Sequence, residues 1–223
     1  MSEYVVQSKV SVTLVGSGES SPEIVKEALT IAPFLVAADG GANMAVLAGF
    51  LPEIVIGDMD SVTPQTLDAI PQARIWRINE QDSTDFEKCL SRIAAPFILA
   101  VGFTGARIDH LLSVFTVLVR YPHCRCLVLG SDDVIFLAPR QLVLDVEPGT
   151  RVSLFPMGPV QGRSVGLFWP IDGIEFAPDG RVGTSNRATG PVTLEFTADR
   201  MLVALPRACL EAAIAALTQQ PRL

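Results

Sequence analysis

Long apolar runs are missing from this 223-residue chain, and nothing in it approaches the roughly 18–20 consecutive apolar residues that a membrane-crossing helix needs. The opening Met1-Ser2-Glu3-Tyr4 lacks a basic segment followed by an apolar stretch, so no secretory signal is expected. Basic residues are also scarce: 17 Lys and Arg stand against 24 Asp and Glu, a formal net charge of −7. That balance argues against a broad nucleic-acid surface, which requires clustered Lys and Arg. The four cysteines, Cys89, Cys124, Cys126 and Cys209, do not form a disulfide framework for this length. Cys124 and Cys126 are one residue apart, the wrong spacing for a zinc knuckle, and no second pair follows. Buried or half-buried thiols in a reducing cytoplasm are the expectation. No internal repeat or low-complexity segment is present. What remains is a chain with 49% hydrophobic and 18% charged residues, enough for a large core and unlike a disordered protein.

Apolar runs alternate with helical patterns up to about residue 139, the pattern of a parallel sheet with crossover helices. Strands are predicted at Val10–Val15, Phe34–Ala38, Ile54–Ile56, Arg74–Arg77, Phe97–Val101, Cys126–Leu129 and Val134–Leu137. Helices are predicted at Pro22–Ile31 behind Ser21, Gly41–Ala48, near Pro64, Ser83–Ile93 and Ile108–Arg120. From residue 140 the pattern changes to short strands, Gln141–Val146, Arg151–Phe155, Ser164–Trp169, Val192–Thr197 and Met201–Leu205. Turns such as Pro178-Asp179-Gly180 and Thr189-Gly190-Pro191 are expected to separate them. A helix over Arg207–Thr218 closes the chain. The expected architecture is an N-terminal Rossmann-like parallel α/β domain (1–139) and a C-terminal antiparallel β domain with a terminal helix (140–223).

Acidic residues concentrate where strands end. Gly57-Asp58-Met59-Asp60-Ser61 follows a strand, and in extended chain the carboxylates of Asp58 and Asp60 face one side. Two such groups repel unless a hard cation such as Mg²⁺ lies between them. The plainer alternative is an Asp-rich turn in which Ser61 caps the helix near Pro64. Gln81-Asp82-Ser83-Thr84-Asp85-Phe86-Glu87-Lys88 gathers groups that handle metal and phosphate, although Asp82 also suits a helix N-cap. Gly102 to His110 is a glycine-containing loop leading to a helix, with Arg107 suited to phosphate oxygens and Asp109 to the acidic group. Asp39-Gly40-Gly41-Ala42-Asn43 ends another strand, and its glycines allow close approach of a ligand. Gly16-Ser17-Gly18 lacks the Lys-Ser/Thr of a P-loop. Asp39, Asp58, Asp60, Asp85 and Asp109 all fall just after a strand or at the following helix start. In a doubly wound sheet such positions share one edge, which suits Mg²⁺ and a polyphosphate.

These stretches resemble the thiamin pyrophosphokinase (thiamin diphosphokinase) family: Asp39–Asn43, Gly57–Ser61, Asp82–Lys88 and Gly105–His110, in order and spacing. Gly166-Leu167-Phe168-Trp169-Pro170 and Thr184-Ser185-Asn186 resemble the family's thiamin-domain signatures. The resemblance implies transfer of the diphosphoryl group of ATP to the thiamin hydroxyl, giving thiamin diphosphate and AMP. It implies an α/β domain plus a β-sandwich domain, in a homodimer whose active sites are shared between subunits. Asp58, Asp60 and Asp85 would be metal ligands, with Asp39 and Asp109 completing the acidic site. Gln81, Arg107 and Lys88 would contact phosphates or the substrate hydroxyl. Asn43, Asp82 and Thr84 would join the binding site, and Ser185, Asn186 and Trp169 would meet thiamin. Three positions depart from the family's pattern: Gln81 stands where many bacterial members have Lys, Ala106 where a second glycine is common, and Val114 where an Asn is often seen. Two rival readings use fewer motifs, a metal-dependent nucleotide-sugar glycosyltransferase and a non-catalytic thiamin or nucleotide sensor. Full retention of the aspartates disfavours the sensor, and the glycosyltransferase leaves the segments at 82–88 and 105–110 unexplained.

Overall fold

A computed structural model describes residues 4–105 and 107–219 of the chain, so the departure at Ala106 and the first three residues lie outside the described residues. The chain divides into two compact units. One comprises residues up to Val117 with Val128–Gly130, and the other Leu118–Leu127 with Ser131 onward. The secondary structure of the first runs β1 (Val6–Gln7), β2 (Val12–Val15), α1 (Pro22–Ile31), β3 (Phe34–Ala38), α2 (Gly41–Leu47), β4 (Ile54–Gly57), α3 (Pro64–Ala69), β5 (Ile75–Arg77), α4 (Asp85–Leu90), β6 (Ile93–Ala94), β7 (Ile98–Val101) and α5 (Ile108–Arg120). Strand β8 (Cys126–Leu129) and the end of α5 cross the boundary between units.

Five parallel strands of the first unit lie in the order β7-β2-β3-β4-β5, with registers such as Val12↔Ile98 and Val36↔Ile54. Every residue of β2 and β7 is buried, as expected of strands covered on both faces by helices. The order reverses between β2 and β7, which is where open α/β sheets form a crevice at their carboxyl ends. The loops leaving these two strands close on each other: Gly18 N donates to Gly102 O at 2.7 Å and Glu19 N to Thr104 O at 2.8 Å. Helix α2 begins so near β2 that a Cβ on Gly41 would lie 2.0 Å from Val15 O, so only glycine fits there.

The second unit is β-rich: β9 (Asp133–Leu137), β10 (Gln141–Leu144), β11 (Arg151–Pro156), β12 (Val160–Leu167), β13 (Glu175–Phe176), β14 (Gly183–Phe196) and β15 (Met201–Pro206), then α6 (Leu210–Thr218). All of the pairings among these strands that follow are antiparallel. β9 pairs with β15, β15 with β11, and β11 with the first half of β14. The second half of β14 pairs with β10 on one side and β12 on the other. Helix α6 buries Leu210, Ala213, Ala216 and Leu217 and packs against β10 and β15.

Several expectations need correction. The segment Thr189-Gly190-Pro191, expected as a turn, lies inside the 14-residue β14, because β12 pairs with Ala188 before it and Thr193 after it and carries the strand through. The helix near Pro64 is capped by Thr63, whose hydroxyl accepts from Thr66 N, and not by Ser61. The helix expected at Ser83–Ile93 is shorter. Thr84, not Asp82, caps it by accepting from Glu87 N at 3.3 Å, and Ile93 belongs to β6 paired with β1. Ser21 caps α1 as expected, accepting from Ile24 N.

Candidate active site

The site is built at the carboxyl ends of β3 and β4. Asp39 directly follows β3 with φ +44 and is 1% exposed. Its Oδ1 accepts from Met59 N at 2.7 Å and its Oδ2 from Ser61 N at 3.2 Å, so the carboxylate clamps the loop that follows β4. That loop is a turn and not extended chain, because Met59 has φ +70. The Met59 side chain is buried with Ala37, Ala42, Val55, Val62 and Ile70, which leaves its neighbours Asp58 and Asp60 on the outer side. Gly57 is required beside it: a Cβ there would lie 2.7 Å from Asp39 Cβ. Asn43 ties down the far end of the loop, donating to Ser61 O at 2.9 Å and accepting from Thr63 N at 3.0 Å. Both ends of its amide are thus used in holding the loop.

Carboxylate oxygens of Asp39, Asp58 and Asp60 lie within 4.8 Å of one another, and they are hard donors of the kind that hold Mg²⁺. Asp58 Oδ1 accepts from Asp60 N at 3.3 Å, and its Oδ2 from Gln81 Nε2 at 3.0 Å. The Gln81 hydrogen bond, with the backbone bond from Asp60 and the charge of Lys88, holds the Asp58 carboxyl below its usual range. Asp60 accepts from Ser61 Oγ at 2.8 Å.

Asp85, expected as the third metal ligand, stands outside that three-carboxylate group and faces Lys88. Lys88 is buried to 2% exposure, and its ammonium bridges Asp85 at 3.3 Å and Asp58 at 3.4 Å. Burial opposes charge on this lysine, but the two carboxylates outweigh it and hold its pKa above the ordinary value. Burial first, and then the negative charge of Asp39, raise the Asp85 carboxyl despite the nearby ammonium. The bridge is a cation placed among carboxylates that would otherwise repel.

The remaining expected residues divide. Gln81 sits within a turn folded around Glu80, which accepts from Asp82 N, Ser83 N and Ser83 Oγ, and from there its amide reaches Asp58. Asp82 itself is exposed, and the Thr84 hydroxyl serves as the cap of α4. Sequence reasoning passed over Glu80, since nothing in the pattern marks a glutamate that folds the turn after it. It also passed over Arg77, whose Nη1 donates to Asp58 O at 3.2 Å. Asp109 was expected to share the edge with the other four aspartates. In the structure it pairs with Arg107 at 2.7 Å, with both side chains about two-thirds exposed, at 66% and 68%. No hydrogen bond or ion pair among the described residues links it to the others. The loop before it does border the site, because Phe103 meets Phe86 of α4 with centroids 4.7 Å apart. Val114 is a buried core residue of α5. All four cysteines are free thiols, and burial raises the pKa of Cys89 and Cys126 well above the ordinary value.

In the β-rich unit Asn186 is 6% exposed and locks the segment after β12 to β14. Its Oδ1 accepts from Trp169 N at 3.2 Å and Arg187 N at 2.8 Å, while its Nδ2 donates to Trp169 O at 2.7 Å. Ser185, an exposed residue beside the buried Asn186, has φ +63 and donates its N–H to Ser153 Oγ at 3.0 Å.

Comparison with known proteins places this arrangement among others. The family model described as "Thiamin pyrophosphokinase, catalytic domain" matches residues 25–128. Thiamine pyrophosphokinase 3 of Oryza sativa subsp. japonica is 30% identical, over 68% of this chain and 69% of its own length. Thiamine pyrophosphokinase 1 of Arabidopsis thaliana is 29% identical, over 78% of each chain. Among solved structures, thiamin pyrophosphokinase from Candida albicans superposes with a TM-score of 0.75 at 18% identity, covering 89% of both chains. The yeast enzyme gives 0.74 at 18% identity over 99% of this chain and 92% of its own. The structural matches bear on the fold, an α/β unit joined to a β-rich one.

Proposed function

The chain belongs to the thiamin pyrophosphokinase family, and from that premise we propose that it transfers the diphosphoryl group of ATP to the hydroxyl of thiamin, releasing AMP. The observation that carries the reading is the Asp39–Asp58–Asp60 group at the carboxyl edge of a parallel sheet, with Asp85 and Lys88 beside it. Asp58 and Asp60 are the outward carboxylates suited to Mg²⁺, with Asp39 and Asp85 completing the acidic surroundings. Bound there, Mg²⁺ supplies positive charge that offsets both the carboxylates and the phosphates, so a chain of net charge −7 can take ATP.

The protein's own groups do the rest by positioning. Gln81 holds Asp58 in place, and Lys88 and Arg107 provide cationic donors for phosphate oxygens. The thiamin hydroxyl is a weak nucleophile, so it must be aligned with the β-phosphorus, and an aspartate of the cluster accepts its proton. The loop Gly16–Ser21 supports a phosphate cradle, since Ser20 Oγ is shielded from solvent and has no hydrogen-bond partner. Asn43 and Thr84 border the nucleotide by way of the segments that they hold, and Asp82 as an exposed residue just before Thr84. Ser185, Asn186 and Trp169 hold thiamin, so that the β-rich unit, which already includes β9, forms the thiamin-binding sandwich and the α/β unit the ATP-binding domain. The working form is a cytoplasmic homodimer with each site shared between copies; among the described residues no helix is long and apolar enough to cross a membrane.

Incubation of the purified protein with ATP, Mg²⁺ and thiamin tests this reading. AMP and thiamin diphosphate are expected, and no AMP above a thiamin-free control overturns it. Asp60→Asn should abolish turnover while the circular dichroism spectrum stays unchanged. For the shared site, mixing an Asp60→Asn protein with an Asn186→Ala protein should restore activity through hybrid dimers. A fully active monomer by light scattering contradicts it.

A further inference from the structure

Phe168 and Trp169 are adjacent aromatic residues that remain 47% and 54% exposed. Their rings meet edge to face with centroids 4.7 Å apart. Large apolar side chains left open to water in this way mark a surface that gains from being covered. The cover present is a cation: Arg187 Cζ lies 4.0 Å from the Phe168 centroid and 5.6 Å from that of Trp169. Both distances fall within the roughly 6 Å over which a ring face attracts a cation. Among the described residues no carboxylate forms an ion pair with Arg187, so the aromatic faces are its partners.

The platform is also held in place from beneath. Asn186 bonds both the N–H and the carbonyl of Trp169, and Phe168 N donates to Arg187 O at 2.9 Å. The backbone of Arg187 thereby belongs to the sheet, whereas its guanidinium only rests on the rings. A side chain of that kind leaves without disturbing the fold.

We propose that Arg187 is a resident competitor for a planar cationic ligand: its guanidinium covers the Phe168–Trp169 face in the free protein and must be displaced when the ligand binds. The proposal rests on the reading of thiamin as substrate, since thiamin carries a permanent positive charge on its thiazolium ring. Displacement weakens binding of any ring that takes this face. A displaced guanidinium that stays nearby also repels a cation, so Arg187 penalises thiamin more than it penalises a neutral ring.

The test uses saturable quenching of Trp169 fluorescence in the full-length protein, in a Trp76→Phe background, because Trp76 and Trp169 are its two tryptophans. Arg187→Gln should tighten thiamin binding by about two- to fivefold, the range of an exposed cation–π contact. It should tighten the neutral aminopyrimidine half of thiamin by less. Arg187→Lys, which keeps a cation, should stay near wild type. In turnover, Arg187→Gln should lower KM and leave kcat unchanged. Unchanged or weaker thiamin binding in Arg187→Gln, or tightening at least as large for the neutral fragment, overturns the proposal, as does thiamin binding to none of the proteins. AMP formation measured on the same proteins separates the two readings. Tightening without AMP leaves the competitor standing and removes the kinase; AMP without tightening does the reverse.

Discussion

Replacing Asp39 with Asn removes one carboxylate oxygen and changes almost nothing else. The side chain keeps its length, and Asn tolerates the left-handed φ of +44 as Asp does, so backbone strain does not enter. Both oxygens of Asp39 accept backbone N–H groups, from Met59 at 2.7 Å and from Ser61 at 3.2 Å. Asn can satisfy one of these, and its NH₂ then faces the other N–H, donor against donor. A hydrogen bond to a charged group contributes about 1.5–3 kcal/mol, and the orphaned buried N–H adds its desolvation cost. With Asp39 only 1% exposed, solvent cannot replace the lost acceptor. The expected destabilisation is about 2–4 kcal/mol, a large part of the usual 5–15 kcal/mol of a folded domain. Urea unfolding measures it. Gly57→Ala provides an independent route to the same loop, since its Cβ would lie 2.9 Å from Asp39 Oδ1. Both variants should lose stability and Mg²⁺ affinity together. A stability of Asp39→Asn within about 0.5 kcal/mol of wild type, the scatter of a neutral surface change, would refute the clamp and leave Asp39 as a metal ligand only.

Lys88→Met should cost stability by about 1–3 kcal/mol at neutral pH, because Asp58 and Asp85 lose their buried counter-ion while the partly exposed Asp85 carboxylate keeps some solvent screening. The pH dependence has a definite sign. The folded pKa of Lys88 lies above its unfolded value, so its contribution is full below the ordinary lysine range and disappears as pH rises through the folded value. Unfolding across the alkaline range should show that loss in wild type and not in Lys88→Met. Asn186→Ala leaves Trp169 N, Trp169 O and Arg187 N without their side-chain partner. At about 1 kcal/mol per bond it should destabilise the protein by about 2–4 kcal/mol, seen as an earlier Trp169 fluorescence transition on heating in the Trp76→Phe background. Asp109→Asn breaks an ion pair that is largely exposed, so stability should change by less than about 1 kcal/mol in chemical denaturation. Loss of turnover in that variant then reports chemistry and not folding.

Local sequence carried a large share of the structure where it acts through short-range rules. The buried runs of β2, β3 and β7 and the cap-and-proline start of α1 stand where apolar pattern and capping chemistry put them. The acidic residues after β3 and β4 were legible for the same reason, since a parallel sheet sends successive strand ends to one edge. The motif order added the family. Tertiary structure decided which residues meet. Asp58 and Asp60 converge through a turn at Met59, whose side chain is drawn into the core, and not through extended alternation. Asp39 emerged as the clamp of that turn, and Asp109 as the partner of Arg107. Lys88 became a buried bridge, and Arg187 came to lie on a pair of aromatic rings. The clamp, the Lys88–Asp58 bridge and the Arg187 stacking join residues 18 to 30 positions apart, whereas the Arg107–Asp109 pair is local and depends on which way two neighbouring side chains turn. Capping, proline and apolar spacing act over a few residues and leave a trace in the sequence. Pairings across the fold are set by how strands and helices pack, and one sequence read alone carries no record of them.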